Sequence, residues 1–218
     1  MPTYTIGHGT WHQKDRFIET LQEIDILLDC RSHPQARIIY YWKSQLEKWV
    51  PKEVGIEYRY FPQLGGFSKE HQQYENYLNT KFDLNLYTGK SFPMEYVKQK
   101  VKVGENQYIK GFVDFQWFMT LPPFFEGITE VIKLSKTKRV AMMCAEAWWY
   151  DCHRSMLADY LLIQHNIDTI HLRQKVNKKP MMKIKHSEVI GNRREIYSTE
   201  VIEIWNKNPI IVEPSRQE

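Results

Sequence analysis

Residues 140–166 have the sequence VAMMCAEAWWYDCHRSMLADYLLIQHN, in which an apolar run, a polar loop and a helical pattern follow one another. The run at 140–143 is entirely apolar and too short for a helix, which predicts a buried strand. Residues 156–163 favour a helix, and Asn166 is a residue type that often ends one. The stretch is therefore predicted to form a strand, a loop and a helix, which is the building unit of an α/β fold.

The same alternation extends over most of the chain. Further strands are predicted at residues 3–6, 26–28, 56–60 and 167–172, and further helices at residues 17–24, 42–50 and 128–134. Pro51 is expected to end the second of these helices, because proline lacks the N–H that a helix interior requires. Since parallel neighbours need crossover connections, we predict an α/β fold with a mainly parallel sheet covered by helices.

Two segments depart from this alternation. A polar stretch at about residues 68–110 is predicted to be an insertion into a core that spans residues 1–172. Residues 173–218 are predicted to be a basic C-terminal extension packed on the core. Six cations in this part of the chain are expected to contact a nucleic-acid backbone: Arg173, Lys175, Lys178, Lys179, Lys183 and Lys185. A solvated surface is the alternative interpretation of these charges.

The composition is that of a globular protein. Of the 218 residues, 42% are hydrophobic and 26% charged, which argues against a disordered, collagen-like or membrane-embedded chain. The three cysteines, the lack of a secretory signal and the lack of an apolar run near the ~20 residues that span a bilayer predict a reducing, cytoplasmic location without a membrane partner. The net charge of +4 suits an anionic partner without requiring one.

Chemically distinctive residues follow the predicted strands. These short motifs are Gly7-His8-Gly9, Asp29-Cys30-Arg31, Leu64-Gly65-Gly66 and Cys144-Ala145-Glu146. Ligands of parallel α/β sheets bind beyond the carboxyl ends of the strands, so the motifs are expected to meet at one rim of the sheet. Asp29, at the end of an apolar strand, is expected either to pair with an arginine or to face a functional cleft.

The loop after residue 144 leads into the next predicted helix. Asp151 is expected to be the N-cap, which places Cys152, His153 and Arg154 in the first helical turn, where free N–H groups favour an anion. Arg154 would add a bidentate grip on a phosphate or carboxylate. An ordinary capped helix with packing cysteines is the alternative interpretation.

Taken together, these motifs resemble the family called domain of unknown function 488. The resemblance covers about residues 3–172 and rests on Tyr4-Thr5-Ile6-Gly7-His8, Asp29-Cys30-Arg31-Ser32-His33-Pro34, Leu64-Gly65-Gly66, Lys110-Gly111-Phe112-Val113-Asp114-Phe115, Cys144-Ala145-Glu146 and Cys152-His153-Arg154. It implies an intracellular α/β domain. The family pattern usually has Ser where this chain has Gly9 and a hydrophobic residue where it has Cys30. The resemblance leaves the activity to be argued from the residues themselves.

The leading hypothesis is a DNA glycosylase, a hydrolase that cleaves the N-glycosidic bond of a modified base in DNA repair or in defence against phage DNA. Asp29 or Glu146 would stabilise positive charge on the sugar and orient water, and His153 would assist the departing base. Substrate and phosphate are expected to contact His8, Gly9, Arg31, Gly65, Gly66, Cys152 and Arg154. An extruded base would stack on Phe67, Trp148, Trp149 or Tyr150.

No metal or other cofactor is predicted, because Cys144, Cys152 and His153 lack a fourth ligand and no CxxC pair supplies the familiar spacing. Two alternatives stay open beside the glycosylase. A non-catalytic nucleic-acid-binding protein would use the same basic and aromatic surface. A nucleotide- or thiol-processing enzyme would use Cys152 as its nucleophile, since a helix N-terminus and neighbouring cations lower a thiol pKa.

Overall fold

The computed structural model describes residues 1–10, 13–66, 115–116, 118–150, 152–173, 181–190, 197 and 199–210. Several predicted features lie outside these residues: the insertion at about 68–110, Phe67, Asp151, Lys175, Lys178 and Lys179. Within the described ranges, no helix combines the length and the apolar character that crossing a bilayer requires.

Six strands of the described chain form one sheet. They are β1 (Thr3–Gly7), β2 (Ile26–Asp29), β3 (Glu57–Tyr60), β4 (Val140–Cys144), β5 (Thr169–Arg173) and β6 (Met182–Lys185). Their order across the sheet is β3-β2-β4-β1-β5-β6, and each neighbouring pair is parallel except β5 with β6. The prediction of an α/β fold with a mainly parallel sheet is confirmed.

Helices complete the fold. They are α1 (Lys14–Leu21), α2 (Lys43–Trp49), α3 (Pro122–Ser135), α4 (Arg154–His165), α5 (His186–Val189) and α6 (Thr199–Lys207). Phe124 and Tyr160 pack in one core cluster with strand residue Leu28, whereas Phe17 packs in a second cluster with Leu27. Successive residues of a strand point to opposite faces, so both faces of the sheet are covered, and the central strands β1, β2 and β4 are buried at every residue.

Several helix boundaries differ from the predictions: α1 begins at Lys14 and α3 at Pro122, earlier than the predicted residues 17 and 128. The chain does not leave the helical path at Pro51 but continues through a π-helical turn at Val50–Val54, which ends at Gly55 in the left-handed conformation at φ 77°. Pro51 is the second residue of this segment, so the change from an α-helix to a π-helical turn coincides with the residue that lacks an N–H. α4 begins only at Arg154, with His153 at its N-cap, so Cys152 precedes the helix rather than lying in its first turn. Asn166 ends α4 in the left-handed conformation, as predicted.

The described part of the C-terminal segment packs on the core. Trp205 of α6 is fully buried, and its indole N–H donates to the carbonyl oxygen of Met119 at 3.0 Å. Asp159 of α4 accepts from the Tyr197 hydroxyl at 2.6 Å and lies 2.7 Å from Nε2 of His186. These buried contacts connect α4 to residues late in the chain.

Two of the predicted backbone-binding lysines lie on β6, at the edge of the sheet. Lys183 and Lys185 are exposed on this strand, and the Lys183 ammonium forms an ion pair with Glu23. Lysine on an exposed edge discourages pairing with strands of other chains. This position therefore gives the two charges a structural role that is independent of any nucleic acid.

Candidate functional site

The site lies at the carboxyl ends of β2, β4 and β1, which are neighbours in the sheet. Gly7 is in register with Cys144, and Asp29 with Met143. Backbone hydrogen bonds continue just past the strand ends. The N–H of Cys30 donates to the carbonyl oxygen of Met143 at 2.9 Å, and the N–H of Gly9 donates to that of Ala145 at 3.0 Å. The predicted motifs of these three strands therefore meet at one rim.

The glycines of the rim lie against protein atoms. A Cβ added to Gly7 would come within 1.8 Å of the Glu146 carbonyl oxygen, and one added to Gly9 within 2.7 Å of the Ala145 carbonyl oxygen. A Cβ on Gly65 would meet Ser32, and one on Gly66 would lie 2.5 Å from Nδ1 of His153. Close packing between loops thus accounts for glycine at these four positions, three of which, Gly9, Gly65 and Gly66, are predicted from the sequence as substrate or phosphate contacts.

Four side chains converge where β4 ends and α4 begins, and we call Cys144, Glu146, Cys152 and His153 the Cys–Glu–His cluster. The Cys144 thiol donates to Oε2 of Glu146 at 2.6 Å, and Sγ of Cys152 lies 3.1 Å from the same oxygen. Nδ1 of His153 lies 3.5 Å from Sγ of Cys152 and 3.9 Å from Sγ of Cys144. The cluster thus joins two thiols, a carboxyl group and an imidazole.

Arg154 supports this cluster from inside the protein. The side chain is 1% exposed, and Nε donates to Sγ of Cys152 at 3.3 Å. Nη2 donates to the carbonyl oxygens of Glu146 and Trp148, at 2.7 and 3.3 Å. Arg154 therefore holds the loop between β4 and α4, whereas the sequence had assigned it to gripping a phosphate.

The electrostatics of the cluster follow from burial and from charges in contact. Burial raises the pKa of Glu146, and the neighbouring Cys152 raises it further. Burial also acts to raise the pKa of Cys152, but the hydrogen bond with Cys144 and the positive charges of His153 and Arg154 outweigh it, so the pKa lies well below the usual thiol range. The pKa of Cys144 is raised by its hydrogen bond with Cys152, by burial and by the neighbouring Cys152 and Glu146.

Three members of the cluster could hold a metal ion. Sγ of Cys144, Sγ of Cys152 and a ring nitrogen of His153 all lie within 4.8 Å of one another. The sequence-based expectation of no metal rested on the missing fourth ligand and on the lack of a familiar ligand spacing, whereas a catalytic zinc site needs only three protein ligands. Cys144 was weighed there only as a metal ligand and was not assigned to the site, although it closes β4 and stands two residues before Glu146.

A second group of polar side chains, the Asp29–Arg31 network, lies at the end of β2 and consists of Asp29, Arg31, Tyr58 and His8. Arg31 donates from Nη2 to Oδ2 and from Nε to Oδ1 of Asp29, at 2.6 and 2.7 Å, and the Tyr58 hydroxyl donates to Oδ2 at 2.7 Å. Asp29 is completely buried. Both carboxylate oxygens are therefore engaged, and the geometry matches the ion pair that the sequence offered as one alternative for this residue.

His8 completes the Asp29–Arg31 network. Nε2 of His8 lies 3.2 Å from Nη1 of Arg31, and its ring stacks on Tyr41 with centroids 4.7 Å apart. Burial, together with the charges of Arg31 and Arg154, lowers the pKa of His8 to about 3. His8 is therefore a neutral acceptor for the Arg31 guanidinium at ordinary pH.

The aromatic residues predicted to stack on a base are placed unequally. Trp149 is buried and stacks on His171, with ring centroids 4.2 Å apart and planes 5° from parallel. Trp148 is half-buried, packs near Tyr150, and has the Arg173 guanidinium over its ring. Trp149 thus stacks inside the protein, whereas Trp148, Tyr150 and Arg173 form a partly exposed group, joined to the Cys–Glu–His cluster through Arg154, which donates to the Trp148 carbonyl oxygen.

The strand order and the rim define the class: an α/β protein whose candidate site lies beyond the carboxyl ends of parallel strands. The family model described as domain of unknown function DUF488 matches residues 93–161. This range includes all four members of the Cys–Glu–His cluster, and the match confirms the resemblance predicted from the motifs over this part of the chain. The searches of curated proteins and of solved structures found no match.

Proposed function

We propose that this chain is a hydrolase that acts on a nucleobase-containing substrate and uses Glu146 to move protons. One observation carries the proposal: the described hydrogen-bond partners of the Glu146 carboxyl are two thiols at the rim of the sheet. The other predicted catalytic carboxylate, Asp29, has both oxygens bound by Arg31. Proton transfer requires a carboxyl group that can reach the substrate, and this favours Glu146.

The specific reaction that we propose is hydrolysis of an N-glycosidic bond in DNA that carries a modified base. Glu146 takes a proton from water, the water oxygen bonds to the sugar carbon, and the bond to the base breaks with its electron pair leaving on the base. His153 gives the base a proton, and the proton held by Glu146 returns to the imidazole through solvent. General acid–base catalysis of this kind contributes about 10²–10⁴-fold to a rate.

The surroundings of the cluster support a nucleobase as the substrate. Tyr150 and Trp148 are only partly buried, and Arg173 adds a cation next to them. A partly exposed aromatic ring with a neighbouring cation suits a flat base that carries phosphate. Roles in DNA repair or in defence against phage DNA follow from the reaction class and are part of the same proposal.

The test is base release from duplexes that carry different modified bases, measured as abasic sites with the purified full-length protein. We expect E146Q to lower the rate at least about 100-fold. The control is E188Q, which makes the same chemical change at the exposed Glu188 of α5 and is expected to leave the rate unchanged. Base release by E146Q within about threefold of the wild-type rate would contradict the role of Glu146.

Duplex binding separates catalysis from binding. The non-catalytic alternative predicts salt-sensitive binding of duplex with no release of base from any substrate. Such a result would overturn the glycosylase and leave a nucleic-acid-binding protein.

A second candidate is an enzyme with Cys152 as nucleophile, and the hydrogen bond from Arg154 Nε to its sulfur favours it. A donor aimed at a sulfur stabilises the thiolate, which is the reactive form. This candidate predicts that iodoacetamide labels Cys152 before Cys30, which is completely buried, and that C152S abolishes turnover of a small-molecule substrate. Equal labelling of the two thiols would contradict it.

A further inference from the structure

The Cys–Glu–His cluster has the donor set of a metal centre. Two cysteines and a histidine are ligands that Zn²⁺ prefers, and three protein ligands with a fourth position open are typical of catalytic zinc sites. We propose that Cys144, Cys152 and His153 bind one thiophilic divalent cation, with Zn²⁺ the ion that best fits these donors. Glu146 lies outside the ligand set, beside the fourth position.

The distances between donor atoms support this assignment. Zn–S bonds of about 2.3 Å and Zn–N bonds of about 2.0–2.1 Å, at tetrahedral angles, place sulfur and nitrogen ligands about 3.6 Å apart. Nδ1 of His153 lies 3.5 Å from one cluster sulfur and 3.9 Å from the other. The imidazole and the two thiols are therefore spaced as ligands of one ion.

The carboxyl group is spaced differently. Oε2 of Glu146 lies 2.6 Å from Sγ of Cys144 and 3.1 Å from Sγ of Cys152. A sulfur and an oxygen ligand of one tetrahedral ion would lie about 3.5 Å apart, so both contacts are too short for Glu146 to share the ion with the two sulfurs. This difference places Glu146 beside the centre, where it can contact a metal-bound water.

The residues around the three ligands hold them in place. Nε of Arg154 donates to Sγ of Cys152, and its Nη2 is fixed by two backbone carbonyl oxygens. The His153 ring lies 5.0 Å from the Phe115 ring, measured between centroids, and a Cβ on Gly66 would overlap its Nδ1. Such contacts orient ligands before the ion arrives, and a donor to a thiolate sulfur offsets its negative charge.

A metal here deepens the proposed hydrolase, because a bound cation lowers the pKa of water and would supply hydroxide near neutral pH. With the ion bound, His153 is a ligand and no longer the acid, so Glu146 would take the proton of the bound water and give it to the departing base. Only this catalytic use rests on the proposed function. Binding of the ion is measured without substrate. Failure of base release would leave a metal-binding protein, and failure of metal binding would leave Glu146 as the proton-transferring group of a metal-free hydrolase.

The experiment is a Zn²⁺ titration of the reduced full chain after chelation, with stoichiometry from native mass spectrometry. We expect one ion per chain, and an affinity at least about 100-fold lower in C144S, C152S and H153Q, because each removes a ligand. The matched controls are C30A, which removes a thiol outside the cluster, and E188Q, which changes an exposed glutamate of α5. Both are expected to bind within about threefold of wild type. Co²⁺ is expected to give sulfur-to-metal charge-transfer absorption that weakens in each cysteine variant.

A measurement on the wild-type chain covers the case in which a ligand variant does not fold. We expect Zn²⁺ to slow the alkylation of Cys144 and Cys152, while the completely buried Cys30 stays unlabelled with and without the ion. Absence of bound Zn²⁺ in the folded wild type, or equal loss of affinity in C30A, would overturn the proposal. An affinity within about threefold of wild type in C144S, C152S or H153Q would overturn the three-ligand assignment.

Discussion

The Asp29–Arg31 network and the Cys–Glu–His cluster are built from similar residues at neighbouring strand ends, yet their arginines have different partners. In the first, Asp29 stands two residues before Arg31, and in the second, Glu146 stands two residues after Cys144. Both groups also involve a buried guanidinium, which belongs to Arg31 in the first and to Arg154, packed against the cluster, in the second. Arg31 binds the carboxylate itself, whereas Arg154 binds a sulfur and two carbonyl oxygens. The Glu146 carboxyl group is thereby left against thiols.

This difference separates a structural role from a chemical one. A buried carboxylate that is fully paired has no lone pair left for a substrate, and it needs its partner in order to stay charged. A carboxyl group among thiols keeps the capacity to accept or donate a proton. Both regions have a carboxyl group. They differ because Arg31 binds the carboxylate of its own group, whereas Arg154 binds a sulfur and backbone oxygens.

The largest expected effect comes from breaking the Asp29–Arg31 pair. R31M leaves the Asp29 carboxylate buried without its cation, and we expect a loss of about 3–5 kcal/mol in the free energy of unfolding. Urea unfolding followed by circular dichroism measures it. The double variant D29N/R31M is expected to recover part of the loss, since it also removes the charge. If R31M lowers the free energy of unfolding by less than about 1 kcal/mol, the Asp29–Arg31 pair does not have the structural role proposed here.

The next effect concerns His8, whose pKa is lowered from 6.5 to about 3 in the folded protein. Between these values the unfolded chain binds more protons, so the stability contributed by neutral His8 is complete above pH 6.5 and is lost as the pH falls toward 3. The loss between pH 7 and pH 4 is expected to be about 3 kcal/mol. Unfolding of wild type and H8Q across this range isolates it, because glutamine stays neutral. Parallel stability curves for the two proteins would contradict the assignment.

A smaller effect is expected from crowding the Cys–Glu–His cluster. The added Cβ in G66A would lie 2.5 Å from Nδ1 of His153, so the ring must move. Overpacking of this kind costs about 1–3 kcal/mol. We also expect weaker Zn²⁺ binding, which a titration measures. G55A is the control, since no atom lies within 4 Å of the added Cβ and only the positive φ adds strain. Unchanged Zn²⁺ affinity in G66A would show that the ring position is unimportant.

The smallest effect on stability is expected from E146Q. Glu146 has thiols as its described hydrogen-bond partners, and an amide of the same shape keeps a hydrogen-bonding group there, so we expect a change below about 1 kcal/mol. E146Q would then lose base release while keeping its stability, whereas R31M loses stability. Urea unfolding of both variants makes the comparison directly. A loss as large as that of R31M would make Glu146 a structural residue as well.

The sequence predicted the strands well, because buried parallel strands leave short apolar runs that are visible without a structure. The five core strands occur close to their predicted positions, and the rim motifs of β1, β2 and β4 meet. Two kinds of detail were not visible. The start of α4 at Arg154 depends on backbone geometry, and the role of Tyr58 depends on the register between β3 and β2, which places its hydroxyl on Asp29.

By itself, the sequence determined which chemical groups this chain places after its strands, since residue order and hydrophobic period are local properties. Only the tertiary structure decided which of those groups are partners. Arg31 and Arg154 are both arginines near a strand end, and nothing local distinguishes a guanidinium that neutralises a carboxylate from one that supports a thiol. The distinction depends on contacts across β1, β2 and β4, and the free energy of a buried charge depends on those partners.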